Sequence, residues 1–357
     1  MKPWLLPFLM LLAAGVAAPA FAAPERAPRL PSDYALIPGS FAPDRQPDGN
    51  TVVIDAPAGL IVVDTGRHPE HRDKILAYAA ARRRPVAAIV NSHWHLDHTG
   101  GNAAIRKAFP QADLYASRAM EGALTGFLAR SRKDAEAFLA SGRASPAQTA
   151  EMRGDFATMD DRAALTPTVP VTGSQVRRIA GRPLHVNLAR HAATEGDVWL
   201  YDEKARAVVA GDLVVAAVPF LDTACPEGWR RALAEIARIP FATLFPGHGA
   251  PMTHAQFDRW RAAFGNLLDC SASTRGDADC KAGWMRDAAP FVRREDPARI
   301  GALLDYYLKT RLRPAPGRRE YCPPDAPATS AHAGAVQPPR SSLAPLSRRV
   351  RRGLTAA

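Results

Sequence analysis

Apolar positions along the chain divide it into a long patterned stretch and two ends of different character. Short apolar runs at residues 51–54 and 60–63 read as strands, after which helix-period and strand-period segments alternate. A helix is predicted over 71–83, a strand at 87–90, a helix over 101–108 and a strand at 114–116. Residues 119–165 then read as a largely helical insertion, with Ser145-Pro146 as N-cap and first helical position of its second helix. Strands are predicted again at 184–188, 198–201, 207–210 and 243–245, with a helix over 227–238. The pair Thr253 and Gln256 forms a capping box that opens another helix. This alternation predicts a layered α/β domain. Within the insertion, Met120, Leu124, Phe127 and Leu128 recur at helical spacing, a stripe that either packs on the body or serves as a lid.

The ends carry other information. Met1-Lys2, an apolar run over 4–16 and Ala20-Phe21-Ala22 read as a secretory signal peptide over residues 1–22, so the mature protein is expected to be periplasmic or secreted. No other stretch approaches the roughly 20 apolar residues of a transmembrane helix, and no stable membrane insertion is expected. Residues 314–357, dense in Pro, Ala, Ser and Arg, are expected to form a disordered basic tail. That division changes the meaning of the net charge of +11. Residues 311–357 hold nine Arg against Glu320 and Asp325, a net +7, and Lys2 leaves with the leader, so residues 23–310 keep only +3. A nearly neutral body argues against a nucleic-acid partner, which would need basic residues clustered on a folded face. A small-molecule substrate is the expected partner, and the sequence leaves the oligomeric state open.

Four cysteines in an exported chain predict disulfides, because that compartment is oxidising. Three pairings are possible. Cys270 and Cys280 flank a short Ser/Gly/Asp loop and favour a local bridge, which leaves Cys225 for Cys322. A free Cys225 near the site, thirteen residues after Asp212, is the alternative.

Chemistry concentrates in His93-Trp94-His95-Leu96-Asp97-His98, four potential metal ligands within six residues at the end of an apolar strand. Thr99-Gly100-Gly101-Asn102 follows, where glycine lets the backbone turn tightly into a helix. Imidazole nitrogen and carboxylate oxygen both suit Zn²⁺, and donors this dense can serve two ions.

This run resembles the H-x-H-x-D-H signature of the metallo-β-lactamase superfamily. Three further segments resemble that family's motifs in its order: Leu60-Ile61-Val62-Val63-Asp64-Thr65-Gly66, the strand end Ala210-Gly211-Asp212, and Phe245-Pro246-Gly247-His248-Gly249. The resemblance spans roughly residues 33–260. It implies a four-layer αββα sandwich over residues 23–265, carrying the helical insertion (119–165) and followed by a C-terminal helical extension (266–313). It places metals in a cleft at one edge of the sheets, with one or two Zn²⁺ per chain. His93 and His95 would bind one ion, Asp97, His98 and His248 the other, and Asp212 would bridge them, with Asp64 supporting the ligand loop from behind. Hydrolysis by metal-bound hydroxide would follow, with Asp97 as the catalytic residue that orients the nucleophile or returns a proton.

One ligand of the family pattern is absent. Its H-T-x-G-D-like segment corresponds to Ala193-Thr194-Glu195-Gly196-Asp197, with alanine at the histidine position. His191 lies two residues earlier, about 6.6–7 Å along an extended chain, and would serve only if the backbone bends. Glu195 would supply oxygen instead, or the site keeps three donors; His185 reads as a packed or partly exposed histidine. The expected substrate is a small ester, lactone, amide or thioester. A non-catalytic, single-metal or redox-linked metal-binding protein is the alternative, and a β-lactamase another; export favours the latter, whereas Asp212 stands where dedicated β-lactamases usually carry Cys or Ser. The loop over residues 43–50 is a second candidate, beside the insertion, for touching substrate.

Overall fold

In the computed structural model, which describes residues 27–41, 45–292 and 297–323, strands with two buried faces build the centre of the molecule. The expected leader and the chain beyond residue 323 lie outside the described residues. β1 (Tyr34–Ile37), β2 (Thr51–Ala56), β3 (Gly59–Val63), β4 (Val86–Val90), β5 (Asp113–Ser117) and β6 (Val169–Val171) form one sheet in sequential order. It is antiparallel from β1 to β3 and parallel from β3 to β6. β7 (Gln175–Ile179), β8 (Arg182–Arg190), β9 (Gly196–Asp202), β10 (Ala207–Val215) and β11 (Thr243–His248) form the other, antiparallel except for the parallel pair β10 and β11.

Because successive side chains of a strand point to opposite faces, each apolar run feeds two cores. Val52, Ile54, Ile61, Val63 and Val90 meet Val186, Val198, Leu200, Val209 and Phe245 between the sheets. The intervening Val53, Leu60, Val62 and Ile89 pack with Ile75 and Ala79 of helix Pro69–Arg82 and Ile105 of helix Asn102–Ala108. Beyond the second sheet, Trp199, Val208 and Ala210 join Trp229, Trp260 and Phe264 of helices Pro226–Ile236 and His254–Ser271. Helix, sheet, sheet, helix is the expected αββα order.

The insertion forms helices Ala119–Thr125, Phe127–Ala140, Pro146–Asp160 and Arg162–Leu165. Ser145 and Gln148 close a capping box at the third of these starts. Met120 and Leu128 pack with Trp94 and Leu96, and Leu124 and Phe127 lean on the same cluster, so the stripe is a packing face.

Several expected boundaries move. Helix His254–Ser271 crosses residue 265 without a break, and Trp284, Leu304 and Tyr307 of the following helices enter the same core, so the C-terminal extension is part of the outer helical layer. The tail expected to be disordered from 314 is ordered through residue 323: a helix covers Ala315–Arg319, and Arg318 Nη2 lies 2.7 Å from Glu227 Oε1. β10 continues to Val215, so Asp212 lies inside a strand and not at its end. Cys225 is bonded to Cys322 and Cys270 to Cys280, which removes the reading of Cys225 as a free thiol. Among the described residues, no helix is long and apolar enough to cross a membrane.

Thiol titration in denaturant without reductant is expected to find no reactive thiol, and two or more would contradict the bridges. Replacing Cys225 and Cys322 by Ser removes a crosslink spanning 97 residues. The expected loss is about 2–4 kcal/mol, read from a shifted denaturation midpoint; an unchanged midpoint would mean that the bridge does not hold the C-terminal segment.

Candidate metal centre

β3 and β4 run parallel and end together, so Asp64 and Ser92 emerge at one sheet edge. The Asp64 carboxylate is buried and accepts three hydrogen bonds: from Ser92 N at 2.7 Å, Ser92 Oγ at 2.6 Å and His98 Nδ1 at 2.8 Å. A carboxylate only accepts, so the single hydroxyl proton of Ser92 points at Asp64, and Ser92 Oγ must accept from His93 Nδ1, 2.9 Å away. In their neutral forms His93 and His98 therefore both carry the proton on Nδ1 and turn a bare Nε2 inward. His95 adds Nδ1, 2.9 Å from His93 Nε2. Ser92 was not singled out in the sequence; its position directly before the first histidine was the available signal.

Three other segments complete the cluster. Asp97 comes from the short helix Leu96–Thr99, Asp212 from β10 at a register shift against β11, and His248 from the end of β11. His98 Nε2 lies 3.2 Å from Asp212 Oδ1, 3.5 Å from Asp97 Oδ2 and 3.3 Å from His248 Nε2. His248 Nε2 lies 3.1 Å from Asp97 Oδ2, and His93 Nε2 lies 3.7 Å from Asp212 Oδ2. Gly211, at φ +53°, sits so close to Ser92 that an added Cβ would come within 2.4 Å of the serine Cβ. A Cβ on Gly49 would come within 2.3 Å of the His98 ring. Gly49 N donates to Asp97 O at 2.9 Å, and Asn50 Nδ2 donates to Pro246 O at 2.9 Å and Gly249 O at 2.8 Å. In the described part of the loop expected to touch substrate, residues 48–50 are buried and brace the ligand loops from behind; residues 43 and 44 lie outside the described residues.

These donors suit a cation. His93 Nε2 and His95 Nδ1 face one another at 2.9 Å, and Asp212 Oδ1 is buried without a hydrogen bond. His93, His98 and Asp212 offer atoms within 4.8 Å of one another, as do Asp97, His98 and His248. Burial pushes His93 well down and His95 to about 4, leaving both neutral. Burial raises the Asp97 and Asp212 carboxyls, but the charge on His98 and His248 outweighs it and holds both below the usual carboxylate range. His93 and His95 thus already offer neutral nitrogens, whereas His98 and His248, lowered by burial but raised further by Asp212 and Asp97, stand above the usual imidazole range and would release their protons to a metal.

His191 is not brought to the cluster. The chain turns back at this point: His191 has φ +51°, its N–H donates to Glu195 O at 3.2 Å, and Ala192 N–H donates to Thr194 O at 2.8 Å. Its Nδ1 meets the Tyr321 carbonyl oxygen at 3.1 Å. Glu195 accepts from Trp94 Nε1 at 3.0 Å, and His185 pairs with Glu203 at 3.6 Å. The two proposed substitutes for a third histidine thus have other partners.

The family model described as metallo-beta-lactamase superfamily matches residues 45–248. A linear primary-alkylsulfatase of Pseudomonas sp. (strain ATCC 19151) is 44% identical over 50 residues, 14% of this chain and 10% of that protein. An atrochrysone carboxyl ACP thioesterase of Aspergillus fumigatus is 30% identical over 63 residues, 17% of this chain and 20% of that protein. The chain thus spans a fifth or less of the length of these curated relatives. A solved metallo-beta-lactamase family protein from Thermus thermophilus superposes with a TM-score of 0.52 at 16% identity, covering 78% of this chain and 93% of that one, a likeness of fold.

Asp64→Asn keeps the shape but replaces one acceptor oxygen by a donor, so it cannot accept from both Ser92 N, which uses Oδ1, and His98 Nδ1, which uses Oδ2. Zinc affinity, measured by competition with a chromophoric chelator, is expected to fall about 10–100-fold. An unchanged affinity would show that the inward nitrogens do not depend on this carboxylate.

Proposed function

The chain belongs to the metallo-β-lactamase superfamily, and we propose that it is an exported zinc-dependent hydrolase of a small ester, lactone, amide or thioester. The observation that carries this reading is the convergence of four imidazoles and two carboxylates on one buried space. His93, His95 and Asp212 would hold one ion, and Asp97, His98 and His248, with Asp212 shared, the other. A donor set of imidazole nitrogen and carboxylate oxygen suits zinc. A bound divalent ion supplies Lewis acidity and a water acidic enough to ionise near neutral pH.

The chain's own groups do the rest. Asp97 presents Oδ2 to the cluster and stays ionised, so it can orient an attacking water and pass a proton to the leaving group. Phe220 edges His95 at a ring distance of 5.0 Å and Phe41 edges His248 at 6.4 Å, so apolar side chains flank the site and favour a substrate with an apolar part. An alkylsulfatase and a thioesterase among the relatives support cleavage of an ester-like bond. Two disulfides support export to an oxidising compartment.

Purified mature protein is expected to carry one to two zinc ions per chain. Because the first group has Ala193 where a third histidine would stand, zinc titration is expected to resolve a weaker and a stronger affinity. Chelation is expected to abolish hydrolysis across a panel of chromogenic esters, lactones, thioesters and β-lactams, and replacing Asp97 and His98 together by Ala to remove the stronger affinity. Hydrolysis that persists in excess chelator, or full metal content in the double variant, would refute the reading.

A further inference from the structure

Asp64 governs His93 and His98, but its carboxylate does not bond His95. The outward nitrogen of His95, Nε2, instead lies 3.0 Å from Thr223 Oγ1, and the same hydroxyl lies 3.0 Å from the carbonyl oxygen of Ala193. A backbone carbonyl only accepts, so the one hydroxyl proton of Thr223 goes to Ala193 O, and the oxygen lone pair receives Nε2–H of His95. That proton placement leaves Nδ1 bare, on the side where His93 Nε2 stands 2.9 Å away. Thr223 has no solvent exposure, so no bulk water competes for either bond.

The hydroxyl is held in place from several directions. Cys225 N donates to Ala192 O at 2.9 Å, so residues 223 and 225 bond consecutive carbonyls of the segment that carries Ala193. That segment is fixed in turn by Asp197, which accepts from Thr194 N at 2.9 Å and from Thr194 Oγ1 at 3.0 Å. The disulfide from Cys225 to Cys322 fastens the end of the loop. The His95 ring stands edge-on between Trp94 at 4.5 Å and Phe220 at 5.0 Å, leaving its rotation restricted on both sides.

We propose that Thr223 is the positioning residue of the ligand-poor half of the centre: it fixes the tautomer and orientation of His95, and so supports metal binding where Ala193 has removed a donor. The proposal rests on the metal-dependent reading above. Fewer donors make each remaining one count for more, and an imidazole in the wrong tautomer would turn N–H, not a lone pair, toward the cation. A neutral hydroxyl is also a weaker partner than the Asp64 carboxylate, so His95 is the less strongly polarised donor, which agrees with a weaker first affinity.

The tautomer can be read without metal, from long-range proton–nitrogen spectra of the ¹⁵N-labelled metal-free protein. Wild type is expected to show His95 protonated on Nε2. Thr223→Val, close in shape but without the hydroxyl, is expected to lose that preference, and Thr223→Ser to keep it. In zinc titrations the Val variant is expected to lower the weaker affinity by about tenfold or more and leave the stronger one unchanged, with the Ser variant near wild type. His95 protonated on Nδ1 in wild type would overturn the proposal. So would a Val variant indistinguishable from wild type, a Ser variant as impaired as Val, or equal weakening of both affinities, which would indicate general loosening. The expected tautomer pattern in a protein that takes up no zinc would support the assignment of Thr223 to His95 and refute the hydrolase reading.

Discussion

The Asp64 carboxylate is the constraint on which the centre depends, because it decides where the protons of two ligand candidates lie before any ion arrives. It is reached directly by His98 and, through the Ser92 hydroxyl, by His93. A buried carboxylate without partners is costly, and here all its donors come from the loop that carries the histidines, so loop geometry and charge compensation are one requirement. The backbone of Asp64 is itself left-handed, at φ +61°. That conformation costs roughly 1–2 kcal/mol for a residue with a Cβ. It is held by the bonds Asp64 N to Val90 O and Thr51 Oγ1 to Asp64 O, both 2.9 Å.

The two sheets deliver the remaining donors to the same place. Between them the core is apolar, which confines polar groups to the edge where β3, β4, β10 and β11 end. The approach there is close: Gly211 of the second sheet presses on Ser92 of the first, and Val198 N donates to Ser92 O at 2.6 Å. Ser92 therefore joins the sheets as well as linking His93 to Asp64 through its hydroxyl. A larger residue at 211 would push Asp212 and Ser92 apart and separate the two halves of the donor set.

How much of this was legible in the sequence follows from how local each signal is. The histidine run lies within six residues and could be read directly, and the apolar runs gave the layered architecture. Strands buried on both faces show no alternation, so their register and length were not readable, and β10 was placed five residues short. β7 escaped because an edge strand with Gln175, Arg177 and Arg178 has little apolar content to detect. Arg318 fell in the tail expected to be disordered from 314, yet it pairs with Glu227 at 2.7 Å, a partner far away in the chain, just as Arg311 before it pairs with Asp222 at 2.8 Å. His191 was weighed as if the chain ran extended through Ala193, and one left-handed residue invalidates that geometry. Thr223 stands 128 residues from His95, so only the folded chain could reveal their contact.

A centre with no histidine at 193 has unequal halves, one short of a neutral donor and the other holding the second carboxylate, and this gives them different tasks. Asp97 and Asp212 together carry two negative charges, and Asp97 belongs to the half with His98 and His248. The half with His93 and His95 has only the shared Asp212 to offset its ion. It would keep both a more open coordination sphere and more uncompensated positive charge, and open positions are where a substrate oxygen can bind. In the other half, three donors besides Asp212 converge, including a carboxylate that can handle protons. A centre without a donor at 193 would then be compatible with the proposed activity, provided that His93 and His95 are held in the correct tautomer from outside: His93 through Ser92 to Asp64, and His95 through Thr223 to the carbonyl of Ala193.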